Sequence, residues 1–139
     1  MGTARTYVWA EDDETVVGYF SLCPHVVRRA EVPKKLSHGS PDAVPSILLA
    51  RLALSSHLQG NGDRLGEGLL IDALSRAVDA ADLVGGRLIV VDALDSEAKS
   101  FYEHYDFRPG PPADNGPVRL FRKLSDVAAA LAGPQEGAH

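Results

Sequence analysis

The residues Ile47-Leu48-Leu49-Ala50-Arg51-Leu52-Ala53-Leu54, then Gln59-Gly60-Asn61-Gly62, then Leu65-Gly66-Glu67-Gly68, decide the fold. The first run is an apolar strand, the second a loop of small residues with open backbone N–H groups, and the third opens a helix. A strand that passes the chain through such a loop to a helix N-terminus builds an anion site. The first amides of a helix lack partners inside it and carry the positive end of its dipole. Taken alone, a Gly-rich loop of this kind is more often a plain strand-to-helix turn.

About thirty residues on, Leu88-Ile89-Val90-Val91 reads as a buried strand that leads through Asp92 and Asp95 into a short helix. That helix carries Ala98, Phe101, Tyr102 and Tyr105 at helical spacing. Strand, loop, helix, strand and helix form a βαβα unit. Its main helix, about Leu65 to Leu83, sets Leu65, Leu69, Leu70, Ala73, Leu74, Ala77, Val78 and Ala81 on one stripe, with Asp72, Arg76, Asp79 and Asp82 opposite. Gly85-Gly86 is expected to stop it.

Upstream, Thr6 to Ala10 and Thr15 to Leu22 pair as a hairpin round the acidic turn Glu11-Asp12-Asp13-Glu14, and Pro24 is expected to end the second strand. Val26 to Ser46 reads as a long connection with one short helical turn, and long connections tend to be functional. Downstream, Arg108 to Pro117 is a Pro/Gly-rich loop, Val118 to Leu124 a last strand, and the chain from Gly133 a disordered tail. One domain, residues 1–132, followed by a tail, 133–139, is the expected organisation.

Composition agrees: 139 residues with 45% hydrophobic content can bury a single core. The chain has no run of about 18 apolar residues and no basic-then-apolar leader, so a cytosolic protein without membrane contact is expected. The single cysteine, Cys23, fits a reducing compartment and packs rather than reacts, since nothing in the sequence supplies a histidine partner. The five histidines lack metal-ligand spacing, and no metal is expected.

Gln-Gly-x-Gly before a helix, followed after the next strand by Ala98-x-x-Phe101-Tyr102-x-x-x-x-Phe107, resembles the GNAT superfamily of N-acetyltransferases. Three segments carry a closer likeness to the acetyltransferase toxins of bacterial toxin-antitoxin pairs, over about Thr6 to Leu124. They are Val17-Gly18-Tyr19-Phe20-Ser21-Leu22, then Pro33-Lys34-Lys35-Leu36 through Gly39, Pro41 and Pro45 to Leu48-Leu49-Ala50-Arg51-Leu52-Ala53, then Phe101-Tyr102. The resemblance implies an α/β (α+β) GNAT fold: a mixed, mostly antiparallel sheet with a central βαβα cofactor unit, amino-terminally truncated because the family's first strand and helices precede the hairpin. The sheet edge so left open implies a homodimer.

The implied chemistry is direct attack of a primary amine on the thioester carbonyl of acetyl-coenzyme A, with no covalent enzyme intermediate and no metal. Tyr102 matches the family's proton donor to the leaving sulfur, with Tyr105 as a substitute; spacing alone favours a core aromatic at Tyr102. By the same matching the backbone of Leu52, Ala53 and Leu54 pairs with the pantetheine arm, Gln59, Gly60, Asn61, Gly62, Arg64, Leu65 and Gly66 hold the pyrophosphate, and Phe101 lines the cofactor. Asp63-Arg64 intervene in the usual loop pattern, as two inserted residues or with the last loop glycine replaced; Asp63 either sets a carboxylate beside the pyrophosphate or caps the helix facing away, and Arg64 offers compensating charge to the phosphates. The general base is open among Glu31, Asp92 and His25.

Toxins of this kind acetylate the amino group of aminoacyl-tRNA and need basic surface, because phosphate contacts supply most nucleic-acid affinity. The chain has formal net charge -5, yet Arg28, Arg29, Lys34, Lys35 and Arg51 could form a local patch for the acceptor. A small-molecule or peptide amine is the alternative acceptor, and a non-catalytic CoA-binding or assembly module the alternative class. A ribbon-helix-helix antitoxin is the partner implied.

Overall fold

A computed structural model describes residues 4–10, 16–54, 63–111 and 117–133. The elements run β1 (Arg5–Ala10), β2 (Val16–Arg28), a 3-10 turn (Arg29–Glu31), α1 (Lys34–Ser37), β3 (Ala43–Leu54), α2 (Asp63–Val84), β4 (Leu88–Ala93), α3 (Ser96–His104), β5 (Arg108–Pro109), β6 (Val118–Lys123) and α4 (Leu124–Ala132). One sheet holds all six strands in the order β1-β2-β3-β4-β6-β5. Only β3 and β4 are parallel, as the β3–α2–β4 crossover requires. The expected mixed, mostly antiparallel sheet with a central βαβα unit is what forms.

Alternation along β4 explains the two cores. Ile89, Val91 and Ala93 face α2 and α4, where Leu69, Leu70, Ala73, Leu74, Ala77 and Ala81 of α2 are buried with Phe20, Ile47 and Leu49. Leu88 and Val90 face the other way, against Val27, Val44 and Phe121. A strand buried on both faces reads as a continuous apolar run, which is how Leu88–Val91 appears in the sequence. The α2 helix stops at Gly85, whose φ of 72° only glycine adopts freely and whose N–H donates to the Ala81 carbonyl at 2.8 Å.

Four expectations change. Pro24 does not end β2, which runs to Arg28 with Pro24 opposite Ile47. The pairing of β1 stops at Arg5 opposite Leu22, so beyond that point β2 has a neighbour on one side only among the described residues, and a residue without an N–H costs no ladder bond on the other side. The long connection accordingly shrinks to residues 29–42, and its Val32 and Leu36 cover the second core. Asp72 is half-buried rather than on a solvated stripe, accepting from Trp9 Nε1 at 2.8 Å and from Arg76 Nε at 3.1 Å. Finally the last strand ends at Lys123, and Leu124 opens a further helix, α4, whose Leu124 and Val127 at helical spacing bury it against α2.

Gly68 has a packing role, since a Cβ there would lie 3.2 Å from the Trp9 ring. The acidic turn 11–14, the loop Gln59–Gly62 and the tail 134–139 lie outside the described residues. Among the described residues no helix is long and apolar enough to cross a membrane, and no group of His, Cys, Asp and Glu is arranged to hold a metal.

Candidate functional site

The parallel pairing of β3 with β4 ends at Leu49 opposite Val91, although β3 continues to Leu54 and β4 to Ala93. Beyond that pair β3 keeps its bonds to β2 through Arg51, Leu52, Ala53 and Leu54, and its β4 side has no partner strand among the described residues. The register of β2 and β3 slips between Ser21 and Leu22, leaving Ala50 unopposed where the strands part. Such a bulge bends a strand and aims its free amides into the gap. An extended amide-bearing ligand can enter there as an added strand.

Two helices follow the strands that bound the gap. The α2 helix begins at Asp63, so Asp63 and Arg64 belong to its first turn rather than to an inserted loop, and a carboxylate at a helix start is electrostatically favoured. Leu65 and Gly66 follow, half-buried. Gln59, Gly60, Asn61 and Gly62 lie outside the described residues, as do the side chains of Leu54, Asp63 and Arg64.

The α3 helix is started by Asp95, whose side chain accepts from the Ala98 N–H at 2.8 Å. It is ended by Asp106 at φ 72°, after which the Phe107 N–H returns to the Tyr102 carbonyl at 3.1 Å. Tyr102 is held edge-on between Phe101 and Phe107, at 5.3 and 5.5 Å between ring centres, and is 8% exposed. Burial pushes its phenol up to about 12, so the hydroxyl keeps its proton across the physiological range. Tyr105 stacks edge-on with Phe101 at 5.2 Å.

On the other face of β4, Asp92 stands one residue past the last β3–β4 pair and opposite Arg119 of β6. Arg119 donates to it from Nε at 2.8 Å and from a terminal nitrogen at 2.9 Å, and its other terminal nitrogen lies 3.3 Å from His25 Nε2. The bond to Asp92 raises the Arg119 pKa further, with a smaller contribution from Glu31. A cleft of about 430 Å³ opens beside this group, lined by Ala30, Glu31, Asp92, Pro111, Arg119 and Phe121 among others. All three residues considered as the general base, Glu31, Asp92 and His25, are thus neighbours of one residue that sequence reading missed. Arg119 becomes visible only once β6 is known to lie beside β4.

A second cleft, about 530 Å³, is lined by Arg28, Arg29, Lys34 and Asp42, and shares Ala30 with the first. Arg29 is partly committed, to Asp42 at 3.0 Å and to the Ser40 carbonyl at 3.0 Å. Lys35 is exposed on the same short α1. Arg51 is elsewhere: it faces Ser21, whereas Arg28 faces Ala43 at the opposite end of the β2–β3 ladder.

No protein-family model matches the chain. Over 131 residues it is 41% identical to a tRNA-acetylating toxin of Mycobacterium tuberculosis, covering 94% of this chain and 75% of that one. Among solved structures it is similar to AtaT complexed with acetyl-methionyl-tRNAfMet, with a TM-score of 0.78, 30% identity, and 92% and 75% of the two chains covered. It is also similar to a Tyr→Phe variant of AtaT bound to acetyl-CoA and to the C-terminus of the antitoxin AtaR, with a TM-score of 0.73, 27% identity, and 93% and 72% covered.

Proposed function

We propose that this chain, which belongs to the tRNA-acetylating toxins of the GNAT acetyltransferase superfamily, transfers the acetyl group of acetyl-coenzyme A to the amino group of an aminoacyl-tRNA. The observation that carries the reading is the parting of β3 and β4 beyond Leu49 and Val91, with α2 the next helix after β3 and α3, which carries Tyr102, the next after β4. The pantetheine arm lies along Leu52, Ala53 and Leu54, and the pyrophosphate meets the segment from Gln59 through Gly62 to Arg64, Leu65 and Gly66. Phe101 flanks the thioester.

Tyr102 donates its hydrogen bond to the sulfur as the C–S bond breaks. A buried neutral phenol near 12 is a poor acid against a thiol near 8.5, so its hydroxyl stabilises the sulfur anion as a donor while the nitrogen's proton follows. Arg28, Arg29 and Lys34, with Lys35 beside them, contact phosphates of the tRNA, and Arg51 makes a separate contact nearer the gap. Adjacency of the basic cleft to the Glu31–Arg119 cleft supports this, because an aminoacyl end and its phosphates arrive together.

The net charge of -5 favours a second reading, a small or peptide amine as acceptor. Incubation with acetyl-coenzyme A and either charged tRNA or a panel of amines decides between them. N-acetylated aminoacyl ester on tRNA, detected by mass spectrometry, is the expected result; acetylated amine with unmodified tRNA refutes it. The reading extends to a ribbon-helix-helix antitoxin, to action in the cytoplasm, where aminoacyl-tRNA is found, and to a homodimer. Support for the homodimer comes from β1, a sheet-edge strand with Val8 57% exposed.

A further inference from the structure

The cleft beside Arg119 holds chemistry that acetyl transfer as described leaves unused. Two of its polar side chains and the neighbouring His25 are committed to one another: Asp92 takes two bonds from Arg119, and His25 Nε2 takes the third. A guanidinium has no lone pair, so that ring nitrogen is the acceptor and His25 is the neutral tautomer with its proton on Nδ1. Asp92 and Arg119 neutralise each other. Glu31 is the exception. Its carboxylate is within electrostatic reach of Arg119 but has no hydrogen bond or ion pair among the described residues.

The position of Glu31 is set by a close approach. A Cβ on Gly110 would lie 2.5 Å from the Glu31 carbonyl oxygen and 2.8 Å from the Phe121 ring, so the chain after β5 packs directly on the 3-10 turn. The rest of the cleft wall is apolar, formed by Ala30, Pro111 and Phe121. Among the described lining residues Asp92 and Glu31 carry two negative charges against the one positive charge of Arg119, and that excess over an apolar wall, beside the point where β3 and β4 part, fits a cation that carries an apolar group.

We infer that this cleft receives the aminoacyl group itself, with its α-ammonium on the Glu31 carboxylate and its side chain along Pro111 and Phe121. The Asp92–Arg119–His25 unit is the rigid floor that positions it. This rests on the acyl-transfer reading above and deepens it, giving a preference for aminoacyl groups with uncharged side chains. Because Glu31 is exposed, the proton that the ammonium sheds before attack passes to solvent water, and the nitrogen's second proton leaves with the sulfur.

The test is steady-state transfer from acetyl-coenzyme A to aminoacyl-tRNA by the parent and by Glu31→Gln. The KM for aminoacyl-tRNA should rise about tenfold, the scale of one charge-assisted hydrogen bond. The KM for acetyl-coenzyme A and the melting temperature should stay as in the parent, and Glu31→Asp should recover part of the loss. Competitive inhibition by α-hydroxyacyl-tRNA, which has no ammonium, should be equal for parent and Glu31→Gln, closing the cycle on the charge pair. A parental KM for aminoacyl-tRNA in Glu31→Gln, or equal weakening of the hydroxy analogue, overturns the inference while leaving the transferase reading intact. No transfer to any aminoacyl-tRNA by the parent overturns both.

Discussion

Replacing Tyr102 with phenylalanine deletes one hydroxyl and keeps a ring of the same shape between Phe101 and Phe107. The edge-on contacts survive, so folding and the shape of the gap should be nearly unchanged. On the proposed mechanism, what is lost is a donor to the sulfur anion from a largely buried residue, Tyr102 being 8% exposed. Full proton transfer from a phenol near 12 to a thiolate whose thiol ionises near 8.5 would be uphill by roughly 5 kcal/mol, so the tyrosine acts as a neutral donor. Removing one preorganised donor to a developing anion costs about 3 kcal/mol, or about 10²-fold in kcat. Calorimetry with acetyl-coenzyme A should show affinity within about twofold of the parent, because uniform binding is untouched. Turnover within a few-fold of the parent would refute the assignment and move it to Tyr105 or a water. A matching tenfold loss of cofactor affinity would make Tyr102 a packing residue.

The same burial sets an alkaline limit on stability: Tyr102 ionises near 12 when folded and near 10 when unfolded, so its term is fully present below about pH 10 and is lost as pH rises through 12. Roughly 3 kcal/mol should disappear over that window, and denaturant titrations of Tyr102→Phe should lack this component; identical curves would count against it. Gly110→Ala should destabilise by about 1–3 kcal/mol, because the clash at 2.5 Å is with the Glu31 backbone and no rotamer relieves it; an unchanged melting temperature would show that the 3-10 turn gives way freely. Asp106→Gly should stabilise by about 0.5–1 kcal/mol, since Asp106 holds φ 72°, its own side chain is exposed and its ion pair with the largely buried Arg122 is long at 3.8 Å. A loss of stability there would mean that the Arg122 contact outweighs the backbone strain.

Much of this architecture is legible along the chain because its signals are local. The Leu69-to-Ala81 stripe, the Gly85-Gly86 stop and the apolar Leu88–Val91 run each lie within one element, and the structure places each where its period put it. Pro24 shows the limit of local rules. A proline ends a strand only where its missing N–H would have been used, and whether it is used depends on where β1 stops pairing, some twenty residues away in sequence. The short α4 was hidden because Leu124 and Val127 follow directly on β6, so their spacing reads as the end of the strand.

The two halves of the candidate site are encoded differently, and that difference explains which half the sequence shows. The cofactor side is one continuous piece of chain, from Ile47 through α2 and β4 to Tyr102, so its order of strand, loop, helix, strand and helix is readable as a motif. The proposed acceptor side is assembled from His25 on β2, Glu31 on the 3-10 turn, Asp92 on β4 and Arg119 on β6, and its longest hydrogen bond in sequence joins residues 94 apart. No periodicity links those four. Their adjacency follows only from the sheet order, which puts β6 next to β4 and lets the 29–42 connection cross the same face. A chain can therefore keep the cofactor motif intact while a single change at residue 31, 92 or 119 alters which amine it accepts, which is the behaviour expected of a fold that hosts one chemistry on many substrates.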